Sequence, residues 1–109
     1  HATSTPAGDT AEAEAIAHVF GPNSVPTSST KSMTGHECWM AGSSETIYSI
    51  LMMNNGFIAP NINFSNPDEH SEKLNLVTEV RKAELNHVLT NSFGFGGTNS
   101  SLILKKYLE

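Results

Sequence analysis

A chain of 109 residues is one small domain or a piece of a larger one. Six Lys and Arg against eleven Asp and Glu leave a net charge of −5, which argues against a nucleic-acid surface, because phosphate contacts need clustered cations. The single cysteine excludes an internal disulfide, no Cys/His set has structural zinc spacing, so no metal site is expected, and no apolar stretch approaches the length of a membrane span.

The first predicted element is a helix over about 10–20. Asp9 and Glu12 make a capping-box pattern, and Ala13, Ile16, Ala17 and Phe20 fall on one stripe of a 3.6-residue period. Gly21-Pro22 then stops it, since Gly suits a left-handed cap and Pro cannot continue a helix. Residues 23–34 are rich in Ser, Thr, Asn and Pro, with a possible short strand from Val25 to Ser29. A second helix is predicted over about 37–54. Ala41, Gly42, Ser43 and Ser44 permit close approach to a neighbour. The stretch from Ile47 to Met53 is apolar nearly all round, which predicts burial on most sides. Gly56 is its natural C-cap.

Residues 59–72 read as a loop. Leu74 to Thr78 is a possible short strand, and His87–Asn91 and Leu102–Tyr107 are better ones. Phe93 to Asn99 between them is too glycine-rich for strand interior. The order gives an α/β fold class without enough strands for a complete sheet. The low apolar content of 38% and a chain opening at His1 fit a segment of a larger protein, so residues 1–109 are taken as one portion of a domain. The opening residues have no signal-like pattern, which predicts a cytoplasmic protein.

Several residues are candidates for chemistry. His1 stands among small polar residues before the first helix, and on spacing alone a surface loop is the simpler reading. His36 sits at the predicted start of the long helix, where the partial positive charge favours a neutral ring. A neutral imidazole can donate one N–H to a carbonyl oxygen and stabilise an enolate; a capping or core histidine is the alternative. Lys31 tunes neighbouring charges or is solvated. Glu45 lies inside an apolar helix, where a lone charge is costly, so pairing with Lys31 or with a cation is the better reason for it than exposure. The nine residues from His36 to Glu45 put the two about half a turn out of phase.

The loop Gly94-Phe-Gly-Gly-Thr-Asn99 lacks the third glycine of a dinucleotide loop and the lysine of a phosphate loop. Its backbone N–H groups suit an oxyanion hole, with Phe93 and Phe95 as walls or a gate; a tight connection between two strands is the alternative. Cys38 reads as a buried, inert thiol.

Taken in order, His1-Ala-Thr-Ser-Thr-Pro-Ala-Gly-Asp9, Ser29-Thr-Lys-Ser-Met-Thr-Gly-His36 and Asn91-Ser-Phe-Gly-Phe-Gly-Gly-Thr-Asn99 resemble the three C-terminal signatures of the β-ketoacyl-[acyl-carrier-protein] synthases. The resemblance is closest to the type I and II elongating enzymes of bacterial fatty acid synthesis. It covers nearly the whole chain, including Gly56-Phe-Ile-Ala-Pro-Asn-Ile-Asn63. It implies the C-terminal part of a thiolase-like fold, layered α/β/α/β/α and incomplete in this chain. It implies an acyltransferase that performs a decarboxylative Claisen condensation between an acyl thioester and malonyl-acyl carrier protein.

Motif by motif, His1 and His36 match the two catalytic histidines, Lys31 the supporting lysine and Glu45 its acidic neighbour. Thr3 and Thr5 match residues contacting the pantetheine arm. Phe95 matches the oxyanion-hole and gate residue, with Phe93 in the same loop. No cofactor is implied beyond the phosphopantetheine of acyl carrier protein, which is the implied partner. A homodimer is implied for the full-length protein, and neither nucleic acid nor membrane.

Two departures stand out: Ala2 where the family usually has Gly, and Glu37-Cys-Trp-Met40 where it is usually small and Gly/Ala-rich. The family's nucleophilic cysteine has no counterpart here, and Cys38 does not match it, so the segment alone is expected to be inactive and poorly folded. A polyketide-type ketosynthase shares the motifs. A non-catalytic, chain-length-determining partner subunit would need neither His1 nor His36.

Overall fold

Proline fixes its own φ near the helical value and carries no N–H to leave orphaned, so it starts helices well. In the computed structural model, which describes residues 1–109, α1 accordingly runs Pro6–Phe20, with Thr5 as its extended N-cap. The helix therefore begins four residues before the predicted start, and the Asp9/Glu12 capping box does not form. Asp9 instead accepts the Ser4 N–H at 3.2 Å, and Glu12 turns back to the chain start. The end is as the sequence predicts: Gly21 caps α1, its N–H on the Ala17 carbonyl.

A parallel ladder of two residues joins β1 (Pro26–Thr27) to β3 (Asn75–Leu76). The one-turn helix α2 (Lys31–Thr34) follows β1. The long helix α3 spans Ala41–Asn55, shorter at its start than predicted. Cys38 explains the difference, because its φ of +52 lies in the left-handed region and cannot be helical. Residues Cys38–Met40 form a single 3₁₀ turn instead. At its other end, Gly56 takes the left-handed cap conformation and donates to the Met52 carbonyl.

Two further strands were not evident in the sequence: β2 (Phe57–Ile58) pairs antiparallel with β4 (Arg81–Lys82). A 3₁₀ turn at Ser71–Lys73 interrupts the long connection. The last unit is an antiparallel hairpin of β5 (His87–Phe93) and β6 (Asn99–Lys105), in register from His87↔Lys105 to Phe93↔Asn99. The strands run two and three residues further into the glycine segment than predicted, and the tip is residues 94–98.

The small-residue start of α3 packs on β5. A Cβ added at Gly42 would come within 3.3 Å of the Ser92 hydroxyl, so glycine lets the two elements close. Three separate two-stranded ladders and two long helices make a mixed α/β fold with no continuous sheet. The apolar core is Ala13, Ala41, Met53, Ile58 and Val77. The predicted burial of α3 on most sides is not found: Ile47, Ile50 and Leu51 are exposed. No helix is long and apolar enough to cross a membrane.

Candidate functional site

Loop and strand ends from three distant stretches of sequence meet at His1. The backbone nitrogens of His1 and Ala2 donate to the two carboxylate oxygens of Glu12, at 2.8 and 2.7 Å. Glu12 thus fixes the direction in which the chain enters α1. In the sequence Glu12 fits a helix cap, and nothing in its spacing marks it as a support for His1.

His36 follows α2 and Gly35, whose φ of +75 turns the chain. The two imidazoles lie edge to face, with centroids 5.4 Å apart and planes at 89°. The Phe93 ring also packs against His1, with centroids 5.7 Å apart. An atom hydrogen-bonded to both rings would sit about 4 Å from each centroid, a bond of about 2.9 Å plus the ring radius. The 5.4 Å spacing permits one oxygen to satisfy both.

The backbone N–H of Cys38 donates to His36 Nδ1 at 3.0 Å. A neutral ring with Nδ1 as acceptor carries its proton on Nε2, which leaves Nε2–H as the donor. His1 Nδ1 is buried and has no hydrogen-bond partner within the chain.

Lys31 and Glu45 form an ion pair, Nζ to Oε1, and their side chains are 4% and 12% exposed. The pairing read from the apolar setting of Glu45 is therefore present, and Lys31 is not solvated. Thr3 is partly buried, and Thr5 is exposed at the N-cap of α1. Thr5 lines an open cleft of about 500 Å³ together with His1, Asp9, Asn61 and Phe64. A second cleft, of about 230 Å³, runs past His1, Glu12, Glu45 and Asn91.

Phe95 is fully exposed at the hairpin tip, so the ring brought to His1 is Phe93. Cys38 is exposed, contrary to the burial expected of it, because its left-handed backbone lifts it off α3. Trp39 and Met40 beside it are exposed as well. In the sequence Glu37 is only a departure from the family pattern, yet its Oε1 accepts the Tyr48 hydroxyl of α3 at 3.1 Å. The Ser44 hydroxyl, followed by those of Tyr48 and Thr34, holds the Glu37 carboxyl below its ordinary pKa, against the opposing effect of desolvation. The same hydrogen bond to Glu37 raises the Tyr48 phenol.

Residues 1–65 match the family described as β-ketoacyl synthase, C-terminal domain. The chain is 54% identical over 106 residues to 3-oxoacyl-[acyl-carrier-protein] synthase 1 of Escherichia coli strain K12, covering 97% of this chain and 26% of that protein. It therefore spans about a quarter of the length of such curated relatives. Among solved structures, a β-ketoacyl synthase from Burkholderia phymatum superposes with a TM-score of 0.90 at 38% identity, over 99% of this chain and 26% of that one. A ketosynthase bound to its hexaketide, in complex with a type II polyketide synthase acyl-carrier protein, gives 0.82 at 28% identity, over 88% and 24%.

Proposed function

The chain belongs to the β-ketoacyl synthase family by its C-terminal domain, and on that premise we propose that it is the C-terminal part of a 3-oxoacyl-[acyl-carrier-protein] synthase of fatty acid elongation. The observation that carries the reading is the edge-to-face pair of His1 and His36. Two neutral imidazoles around one thioester oxygen stabilise negative charge that develops on it.

In the proposed reaction the C–C bond to the malonyl carboxylate breaks and CO₂ leaves. The electron pair passes into an enolate whose oxygen accepts hydrogen bonds from the two rings. The enolate carbon attacks an acyl thioester, a C–C bond forms, the C–S bond breaks, and the thiolate leaves. His36 Nε2–H is suited to donate because Nδ1 is occupied by the Cys38 N–H. Neither histidine needs to lose its proton, so no general base is required in this half of the reaction. Lys31 and Glu45 are proposed to support the histidines as a buried pair, and Thr3 and Thr5 to contact the pantetheine arm. The Phe95 N–H is proposed to complete the oxyanion hole, with Phe93 as a wall.

The attacked acyl group needs a cysteine nucleophile. Cys38 is unsuited to that role, since its Sγ turns to the His36 carbonyl at 3.6 Å rather than to the imidazole. We propose that the nucleophile lies in the part of the relatives' length that this chain does not span. The proposed reaction uses no cofactor beyond the phosphopantetheine of the carrier protein, and the proposed partner is acyl carrier protein, as in the ketosynthase complex to which the chain is similar. The surrounding protein is proposed to be a cytoplasmic homodimer. Identity of 54% to a 3-oxoacyl-[acyl-carrier-protein] synthase, against 28% to the polyketide ketosynthase, favours elongation over polyketide synthesis, and retention of both histidines disfavours a non-catalytic subunit.

The test is CO₂ release and 3-oxoacyl product formation from malonyl- and acyl-carrier protein by the full-length protein carrying this chain. His36→Ala is expected to lower decarboxylation by about 10²–10³, the loss typical of one oxyanion donor. Decarboxylation by His36→Ala at the wild-type rate would overturn the assignment.

A further inference from the structure

The N–H that fixes the His36 tautomer belongs to a strained residue. Cys38 is not a glycine, yet it sits at φ +52, a conformation that side chains disfavour. Such a conformation persists where its surroundings over-determine it. The backbone bonds nearby are local: Met40 N–H reaches the Glu37 carbonyl at a long 3.3 Å, and Ala41 N–H reaches the Cys38 carbonyl. The Ser43 hydroxyl bonds the Met40 carbonyl, still within the first turn of α3.

The Glu37 side chain ties the turn to the body of the helix. The Tyr48 hydroxyl, two turns into α3, donates to Glu37 Oε1 at 3.1 Å. Glu37 Oε2 is shielded from solvent beside it, with the Ser44 and Thr34 hydroxyls close to the carboxylate, so the side chain is held inward.

We propose that Glu37 is a positioning residue that, through its bond to Tyr48, clamps the strained turn and keeps the Cys38 N–H aimed at His36 Nδ1. This rests on the proposed role of His36 but concerns a residue pair that the three motifs leave out. The hydroxyls around the Glu37 carboxyl favour its ionised form, which accepts best from a phenol.

The experiment uses the full-length protein carrying this chain, with Tyr48→Phe, Glu37→Ala, the double variant and Glu37→Gln. Two readouts are taken: the ¹⁵N chemical shifts of His36, which report the tautomer, and kcat and KM for malonyl-carrier protein decarboxylation. Wild type is expected to show a single Nε2–H tautomer. Tyr48→Phe and Glu37→Ala are each expected to give mixed tautomers and a kcat lower by roughly ten- to a hundredfold with KM little changed, as for a misplaced catalytic group.

The double variant should be no worse than either single, because both remove one tie. Glu37→Gln keeps an oxygen acceptor for Tyr48 and should restore the single tautomer. If Glu37→Ala fails to fold, Tyr48→Phe decides alone. Wild-type tautomer and kcat in Tyr48→Phe would overturn the proposal, as would impairment in Glu37→Ala with none in Tyr48→Phe. A wild-type protein that releases no CO₂ would refute the proposed reaction and leave the tautomer readout to decide the clamp.

Discussion

Lys31 is the only buried cation, and a buried ammonium without a counter-charge would be heavily penalised. Glu45 supplies that charge from α3, while Lys31 sits at the start of α2 directly before the His36 turn. The pair thus fastens the short helix that carries the site to the long helix beneath it. Removing one partner leaves the other buried and uncompensated, so Lys31→Ala or Glu45→Ala in the full-length protein should lose about 3–5 kcal/mol of stability by urea unfolding. Lys31→Met with Glu45→Leu should lose much less than the two single losses combined; simple additivity would show that the two groups do not share one interaction.

At this scale the sequence was legible where a residue type was out of place. A carboxylate among Ile, Leu and Met asks for a partner, and Lys31 was the cation at hand. Glu12 was not legible, because an acid three residues after Asp9 fits a helix cap as well as it fits a support for His1. Glu37 was visible only as a departure, since its value depends on Tyr48, eleven residues away.

Among the elements, the hairpin carries Phe93 to His1 and turns back within five residues. Gly94 N–H donates to the Thr98 carbonyl at 2.8 Å, and Gly96 and Gly97 have φ of +85 and +88. Two consecutive residues in that region are what glycine supplies and other residues resist. Gly97→Ala is therefore expected to cost about 1–2 kcal/mol, although open space surrounds the position, since the penalty is in the backbone and not in a clash. The measurement is the unfolding midpoint of the full-length variant; an unchanged midpoint would mean that the tip adopts another conformation.

The glycine run gave away the turn but not where the strands end. Strand ends are set by cross-strand bonds such as Phe93↔Asn99, which composition does not show. The same reason hid β2 and β4, whose two residues each are strands only because they meet. The start of α3 was misplaced because a left-handed Cys38 has no marker in a sequence of ordinary helix formers.

For the whole molecule, exposed surface is the quantity that matters. A folded monomer of 11.7 kDa is expected to expose about 5,900 Å². This chain exposes 7393 Å². The excess, about 1,500 Å², is roughly twice what one partner contributes to a standard interface. Much of the uncovered surface is apolar, as at Trp39, Ile47, Leu51, Ile103 and Phe95, and it is spread over the turn before α3, α3 itself, β6 and the hairpin tip rather than gathered in one patch. Such a distribution suits elements that pack against more protein on several sides, in keeping with a chain that spans about a quarter of its relatives.

With five buried apolar residues as its core, the isolated 1–109 chain has little to set against the entropy of ordering its backbone. Helix and hairpin bonds are local and should persist in part. Fixed packing around Val77 should not. The isolated chain is therefore expected to keep helical far-UV circular dichroism, bind a dye such as ANS, and unfold in urea without a sharp transition. The full-length protein should bind little dye and unfold cooperatively. A steep two-state transition of the isolated chain, with no dye binding, would mean that these helices and ladders hold one another in place unaided.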